Sequence, residues 1–511
     1  MVVARTRSVS LLGIHGAIVE IEADISSNLP SFVLIGLPDA ALGEARDRVR
    51  AAATNSGCGL PQRKLTVNLS PAAIPKHGSG FDLAIALAAL GAAGDVSSES
   101  ISEVVHLGEL GLDGRLRPIA GILPAVVGAS RAGFRTVMVP TGNVDEAALV
   151  PHVKVVGVPS LREAVIWHGG KLDPHPVDPI LRPPIEEQAQ ADLDLADVIG
   201  NDDAVEAMIV CAAGGHHAFL LGPPGSGKTM LASRLPGLLP ELHPEAALEV
   251  ASLRSLSGFP VGGELSFRPP FESPHHTASA AALVGGGSGL IRPGAAARAS
   301  HGVLFLDEAP EFSSSVLDAL RQPLESGEIS IHRSNAVAHF PGSFQLIMAA
   351  NPCACGQYGS REFECTCTPH SRRRYLARIS GPLLDRIDIQ LRVSRITSAQ
   401  LRLSSESTAL NTASARERVV NARALSAQRL ADTPWTLNSQ VPGSWLRRPQ
   451  SRLAPATTAS IDRALERGGI TMRGYDRILR VAWTLADLDG VNSPVSEHIG
   501  RALFFRKAMS S

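Results

Sequence analysis

GPPGSGKT, from Gly222 to Thr229, satisfies the spacing G-x-x-x-x-G-K-[ST] through Gly222, Gly227, Lys228 and Thr229. The four residues before it, AFLL from Ala218 to Leu221, have the pattern of a short buried strand, and MLASRLPGLL after it predicts a helix. Glycines let the backbone curl so that successive N–H groups and the helix N-terminus face phosphates. The expected nucleotide-contacting run is therefore Gly222, Pro223, Pro224, Gly225, Ser226, Gly227, Lys228, Thr229 and Met230. Lys228 adds a point charge near the β- and γ-phosphates, and the Thr229 hydroxyl is placed to hold Mg2+. Further on, VLFLDE runs four apolar residues into Asp307 and Glu308. Asp307 is expected in the magnesium shell, and Glu308 is expected to polarise the attacking water. The chain thus has the signature of a P-loop nucleotide hydrolase. ATP is expected rather than GTP, because no NKxD-like base-reading motif is present.

At 511 residues the chain exceeds one core, and roughly 100–200 residues per domain predicts three units. Its 44% hydrophobic and 19% charged content fits a soluble globular protein. No apolar run reaches about 18 residues and the N-terminus lacks a long apolar core, so a cytoplasmic location without membrane contact is expected. The net charge of −1 hides an asymmetry, since Ser371 to Ser511 holds 23 Lys or Arg against 11 Asp or Glu. That region carries +12 and the remainder −13, which fits a polyanion partner and also fits ordinary solvated arginine-rich helices. Cys58 and Cys211 stand alone as expected buried thiols. Cys353, Cys355, Cys365 and Cys367 form two C-x-C pairs, which leaves open structural Zn2+ and reduced thiols.

Residues 1–170 form the first unit, of α+β type. Strands are predicted at SFVLIGL (Ser31 to Leu37), KLTVNLS (Lys64 to Ser70) and TVMVP (Thr136 to Pro140), a helix at FDLAIALAAL, and a hairpin turning at Asp113-Gly114. Residues 171–191, rich in proline and acids, have the composition of a linker. In the second unit, 192–397, a helix is expected from Asn201 or Asp202, either of which can cap it, to Gly214-Gly215. His216 and His217 next to the nucleotide strand are expected to be structural. The long insertion before VLFLDE carries Arg268, His275, His276 and Arg292, and both a ligand contact and a structured surface loop remain open for it. Beyond Glu308, EISIHRSNAVAHF predicts a β-hairpin, and a second central strand should end at Asn351, where an amide can orient the attacking water. Residues 398–511 form the third unit, a small helical lid with Arg416, Arg418, Arg423, Arg429, Arg477 and Arg480 expected on helix surfaces.

PKHGSGFDLAIAL followed by GELGLDGRLRPIAG resembles the peptidase domain of Lon proteases. That family's Ser-Lys dyad falls on Gly80 and Leu123 here, so peptidase chemistry is not expected; Ser79 lies one residue away without an activating Lys. Together with that domain, GGHHAFLLGPPGSGKTMLASRLPGLLP, SPHHTASAAALVGGGS, HGVLFLDEAPEF, IMAANPCACG, RISGPLLDRIDI and TMRGYDRILRVAWTLADL resemble the YifB/ComM family of magnesium-chelatase-like AAA+ ATPases over nearly the whole chain. The resemblance implies an α/β AAA+ P-loop NTPase core, a magnesium-chelatase-type helical C-terminal lid, and an N-terminal domain of Lon-protease (ribosomal S5 domain 2-like) fold. It makes Lys228, Thr229, Asp307 and Glu308 the Walker residues and Asn351 sensor 1. Arg386 becomes the arginine finger reaching a neighbouring subunit, with Arg378 the alternative, and Arg473 the sensor 2 arginine of the lid. A homo-hexamer acting on single-stranded or branched DNA is implied, with helicase or branch-migration activity during recombination of incoming DNA. The hairpin bearing His332 and Arg333 would then project into the pore. Two other classes stay open: a chelatase-type ATPase that remodels a protein partner for metal insertion, and a regulatory module with slow turnover. The chain departs from the family at Glu272 and Ser273, before the paired histidines, and at Trp483, where the family has Arg.

Overall fold

The computed structural model describes residues 3–36, 39–76, 78–182, 193–287, 291–333, 336–358, 364–396 and 410–506. Residues 183–191 of the expected linker, Ser334 and Asn335 within the expected hairpin, 398–409 at the start of the expected lid and 507–511 lie outside them.

The first unit is a seven-stranded mixed sheet built from β1 (Ala4–Leu12), β2 (His15–Ser26), β3 (Ser31–Ile35), β4 (Lys64–Ser70), β5 (Val105–His106), β8 (Thr136–Pro140) and β9 (Lys154–Val158), in the order β3-β4-β2-β1-β5-β8-β9. The expected hairpin forms from β6 (Glu109–Leu110) and β7 (Leu116–Arg117), with Gly114 at φ 82° at its turn. FDLAIALAAL forms the helix Asp82–Ala93, buried from Asp82 to Gly91, and Arg48 neutralises Asp82 at 2.7 Å. Of the two longest strands, β2 alternates buried Val19, Ile21 and Ala23 with the less buried Glu20, Glu22 and Asp24, whereas β1 carries no such apolar period. The inward positions of β1 are Ala4, Thr6, Ser8 and Ser10, so its buried face is largely hydroxyls. Two of these are satisfied locally, Thr6 donating to the Ala84 carbonyl and Ser10 to the Pro75 carbonyl.

The second unit holds a five-stranded sheet of β10 (Ala218–Leu221), β11 (Phe271–Glu272), β14 (Val303–Leu306), β17 (Gln345–Ala350) and β18 (Ile389–Arg392). Every pairing is parallel and the order is β11-β14-β17-β10-β18. All residues of β10, β14 and β17 are buried, which is why AFLL, VLFL and, after Gln345, LIMAA are continuous apolar runs rather than alternating ones. Because β17 lies between β10 and β14, the three loops leaving their carboxyl ends converge at one edge of the sheet, where open parallel sheets bind ligands. The insertion is structured. It contains β11, the helix Ala280–Val284, a ribbon of β12 (Gly285–Gly286) with β13 (Arg292–Pro293), and the helix Ala295–Arg298. EISIHR and AVAHFP pair as the hairpin of β15 (Glu328–Arg333) and β16 (Ala336–Pro341). The helix Asp202–Gly214 ends at left-handed Gly215 as expected, but Asn201 does not cap it: its backbone is left-handed and its amide donates to Ser394 O at 3.0 Å.

The third unit consists chiefly of the helices Thr412–Arg429, Pro455–Glu466, Met472–Leu488 and Ser496–Phe504, sharing one hydrophobic cluster with the helix Asp202–Gly214. Here the expectation of solvated lid arginines needs correcting. Arg423 donates twice to the Ala212 carbonyl, at 2.9 and 2.7 Å, and burial pushes its pKa down to about 10. Arg429 grips Asp487 and lies 4.5 Å over the Trp483 ring, so the Trp in place of Arg serves as its platform. Arg477 bonds Asp388 at 2.6 Å and the Asp385 carbonyl at 2.5 Å. Arg480 is half-buried with its Nε shielded from solvent, and desolvation lowers its pKa. Arg423 and Arg477 thus join the C-terminal helices to the core, while Arg429 is engaged among those helices.

The first unit docks on the second at two places. Leu11, Leu12 and Ile14, around the β1–β2 turn, pack against the cluster holding Phe340 and Leu346. The helix Ile122–Arg131 meets the helix Pro244–Leu256, with the Gly121 amide donating to Ser255 O at 3.0 Å and the Leu123 amide to Ser255 Oγ at 3.4 Å. Leu123, at the position of the Lon lysine, is fully buried at this junction.

Candidate functional site

The loop Gly222–Thr229 leaves β10 and enters the helix Lys228–Leu238 with Gly225 and Gly227 both at positive φ, 75° and 87°, a conformation costly to any residue with a Cβ. Gly222 is required for another reason, since a Cβ there would sit 2.2 Å from the Val393 carbonyl oxygen. Lys228 is only 8% exposed; its ammonium donates to the carbonyls of Gly222 at 2.7 Å and Pro223 at 2.9 Å, and lies 3.4 Å from Asn351 Oδ1. Burial lowers its pKa, opposed by the Asp307 and Glu308 carboxylates. The Thr229 hydroxyl donates to Asp307 Oδ2 at 2.7 Å, so the two expected magnesium-holding groups already meet. The Ser226 hydroxyl is buried inside the loop without a partner.

This donor set fits a nucleoside triphosphate with a divalent cation. A buried cation and an orphaned hydroxyl line the loop, with a hydroxyl–carboxylate pair at its end. Glu308 follows Asp307 with φ 51°, a left-handed backbone in a non-glycine residue, and its amide donates to Asp307 Oδ1 at 2.9 Å. Such strain recurs where a side chain must be aimed. Met230 is exposed, one residue beyond Thr229.

Of the expected site residues, Lys228, Thr229, Asp307, Glu308 and Asn351 come together at the carboxyl ends of β10, β14 and β17. The arginines are engaged elsewhere in the chain. Arg386 is paired with Glu325 and donates to the Pro382 carbonyl at 2.6 Å, with its side chain 12% exposed. Arg378 bonds the Pro310 carbonyl at 3.1 Å and Glu311 at 3.2 Å, and its side chain is 51% exposed. Arg473, 70% exposed, lies 3.5 Å from Asp385. His216 and His217 are structural: His216 bridges Asp388 and Thr484, and His217 accepts from the Leu346 amide. A contact of His276, whose Nδ1 lies 3.3 Å from Glu308 Oε2, has no signal in the sequence beyond the paired histidines of SPHHT.

The four clustered cysteines follow Asn351 directly. Their Sγ atoms lie within 4.8 Å of one another, with Cys353–Cys355, Cys353–Cys365 and Cys355–Cys365 at 3.3, 3.7 and 3.6 Å. A tetrahedral ion with bonds of about 2.3 Å places sulfurs roughly 3.8 Å apart, so this geometry suits a four-thiolate metal site. The cluster also abuts the nucleotide loop, because a Cβ on Gly356 would lie 2.7 Å from Pro224 Cγ.

Comparison with known proteins agrees with this arrangement. The profile of "Magnesium chelatase, subunit ChlI" matches residues 194–401, that of "Subunit ChlI of Mg-chelatase" residues 21–143, and that of "Magnesium chelatase, subunit ChlI C-terminal" residues 409–506. An uncharacterized protein of Mycobacterium tuberculosis is 47% identical over 508 residues, 99% of each chain. The competence protein ComM of Haemophilus influenzae is 39% identical over 500 residues, 97% of this chain and 96% of ComM. The uncharacterized protein YifB of Escherichia coli is 38% identical over 502 residues, 97% of this chain and 95% of YifB. Part of the chain is also weakly similar to Lon proteases. With a P-loop, an acidic strand end and a helical C-terminal region on a parallel sheet, and with similarity running nearly end to end, the chain belongs to the YifB/ComM family of magnesium-chelatase-like AAA+ proteins.

Proposed function

We propose that this protein is an ATP-hydrolysing ring motor that moves DNA, acting as a helicase or branch-migration factor in recombination of incoming DNA. The observation that carries the ATPase reading is the convergence of Lys228, the Thr229–Asp307 pair, Glu308 and Asn351 at one edge of the parallel sheet. The DNA reading is supported by similarity over nearly full length to a protein named for competence. It does not rest on the lid's charge, because Arg423, Arg429 and Arg477 are committed inside the molecule.

Bound Mg2+-ATP supplies the transferable γ-phosphoryl group. In this reading Lys228 leaves the Gly222 and Pro223 carbonyls for phosphate oxygens, a stronger charge-assisted partner. Thr229 and Asp307 hold the cation, Glu308 takes the proton of the attacking water, and Asn351 fixes that water's position. Arg386, released from Glu325, reaches the neighbouring subunit's nucleotide, while Arg473 reports nucleotide state to the lid. The β15–β16 hairpin with His332 and Arg333 lines the pore, where backbone contacts suffice for sequence-independent movement. The first domain serves assembly rather than peptide hydrolysis, its Leu123 position being buried against Ser255. The four-cysteine cluster holds structural Zn2+, and the protein works in the cytoplasm as a hexamer. Among the described residues no helix is long and apolar enough to cross a membrane.

The second reading, a chelatase-type ATPase that remodels a protein partner for metal insertion, is favoured by the magnesium-chelatase profiles along the chain. ATP turnover measured with and without forked or Holliday-type DNA separates the two. Several-fold stimulation is expected of the DNA motor. Absence of DNA binding at low salt, with retention of a metal-cofactor enzyme on the immobilised protein, would establish the second.

A further inference from the structure

Between Asn351 and Arg378 the chain leaves the nucleotide site and comes back to it. It leaves at the carboxyl end of β17, where Asn351 stands beside Lys228. It returns at Arg378, whose guanidinium bonds the Pro310 carbonyl and Glu311, and the Glu311 amide in turn donates to the Glu308 carbonyl at 2.7 Å. What lies between has no core of its own. Among the described residues of 352–368 there is no helix or strand, and Cys353 has the only buried side chain. A segment that buries so little apolar surface does not offset the entropy of ordering it, the circumstance in which small units use a metal as a staple.

The four thiols are placed to supply that staple at both ends of the segment. Cys353 stands two residues after Asn351. Cys367 directly precedes Thr368, whose hydroxyl caps the helix Pro369–Leu376 by accepting from the Ser371 amide at 3.2 Å. An ion bound by all four sulfurs ties the exit from β17 to the start of the helix that leads to Arg378. Two further contacts extend the tie. Gly356, at φ 76°, turns the chain against Pro224 of the nucleotide loop, where no Cβ would fit. Arg372 of the helix lies 3.9 Å over the Tyr358 ring.

We propose that metal in the four-cysteine cluster is a clip that positions Asn351 and the Pro224 side of the nucleotide loop against the arginine-bearing segment, so that ATP hydrolysis depends on the metal more than ATP binding does. The proposal rests on the zinc and ATPase readings above. The test uses the full-length protein in three states: purified without chelator, stripped of metal by a chelator that is then removed, and returned to Zn2+. The double variant Cys353→Ser, Cys365→Ser stands beside them. Zinc content, affinity for a fluorescent ATP analogue, ATP turnover in Mg2+ and amide hydrogen exchange over residues 352–376 are read on each. Stripping should lower kcat roughly 10- to 100-fold, the cost of a group displaced from its working position, and should change ATP affinity no more than about threefold, because Lys228 and the Thr229–Asp307 pair keep their places. Exchange over 352–376 should quicken while β10 and β14 stay protected. Returned Zn2+ should restore the stripped wild type and leave the double variant unchanged. Protein that loses its zinc yet keeps wild-type kcat and exchange would overturn the clip and leave the zinc reading standing. ATP affinity lost in step with kcat would overturn the positioning role. Absence of zinc in every state would overturn the zinc reading and the clip with it. If the zinc-loaded wild type fails to hydrolyse ATP, the ATPase reading falls, and the exchange of 352–376 with and without metal still decides whether the cluster holds this segment.

Discussion

Lys228 rests against the carbonyls of its own loop, so the site is built around a cation whose preferred partner is a phosphate. Lys228→Ala should lose nucleotide binding and hydrolysis together, whereas Glu308→Gln should bind ATP normally and hydrolyse it on the order of 10² times more slowly, the scale of a general base. Binding of a fluorescent ATP analogue beside phosphate release checks both. Arg386→Ala should lower turnover on the order of 10³-fold in assembled protein while leaving nucleotide affinity nearly unchanged, because the group acts on transition-state charge. Full activity in an intact ring would shift the role to the more exposed Arg378. The motif residues were legible in the sequence because phosphate chemistry fixes both their types and their spacing. The contact of His276 with Glu308 was not, since it depends on two strands lying side by side that are not consecutive in the chain.

At the scale of elements, the joint between core and lid is a buried polar chain running from Arg477 through Asp388 and His216 to Thr484 and Asn438. Burial raises the Asp388 pKa, but Arg477 and His216 outweigh it and hold the carboxyl well below the usual range. A depressed folded-state pKa means that this stabilisation is present above the ordinary carboxylate pKa, about 4, and fades as pH falls through the folded value. Asp388→Asn should therefore destabilise the core–lid unit by roughly 3 kcal/mol at neutral pH, lowering its melting temperature by about 6–12 °C, with the difference from wild type shrinking in acid. Melting curves across pH check it. In the cysteine cluster, protein purified without chelator should contain about one zinc per chain, lost on replacing Cys353 and Cys365 by Ser together. Elemental analysis near zero contradicts that. β10, β14 and β17 were legible because strands buried on both faces are apolar nearly throughout, Gln345 being the exception. β1 escaped because its inward face is Thr and Ser, and the lid arginines were misjudged because a buried guanidinium and a solvated one have the same sequence pattern.

At the scale of the whole molecule, the first domain is fastened to both the helix Pro244–Leu256 and the cluster beside the β15–β16 hairpin. The β15–β16 hairpin is therefore packed against the first domain through Leu11, Leu12 and Ile14 as well as against its own core. If hydrolysis at this edge of the sheet drives branch migration on DNA, a three-strand assay with purified wild type, Lys228→Ala and Glu308→Gln should show ATP-dependent conversion by wild type and none by either variant, although Glu308→Gln should still bind the DNA. Equal conversion by all three, or none by a wild type that hydrolyses ATP and binds the substrate, would contradict it.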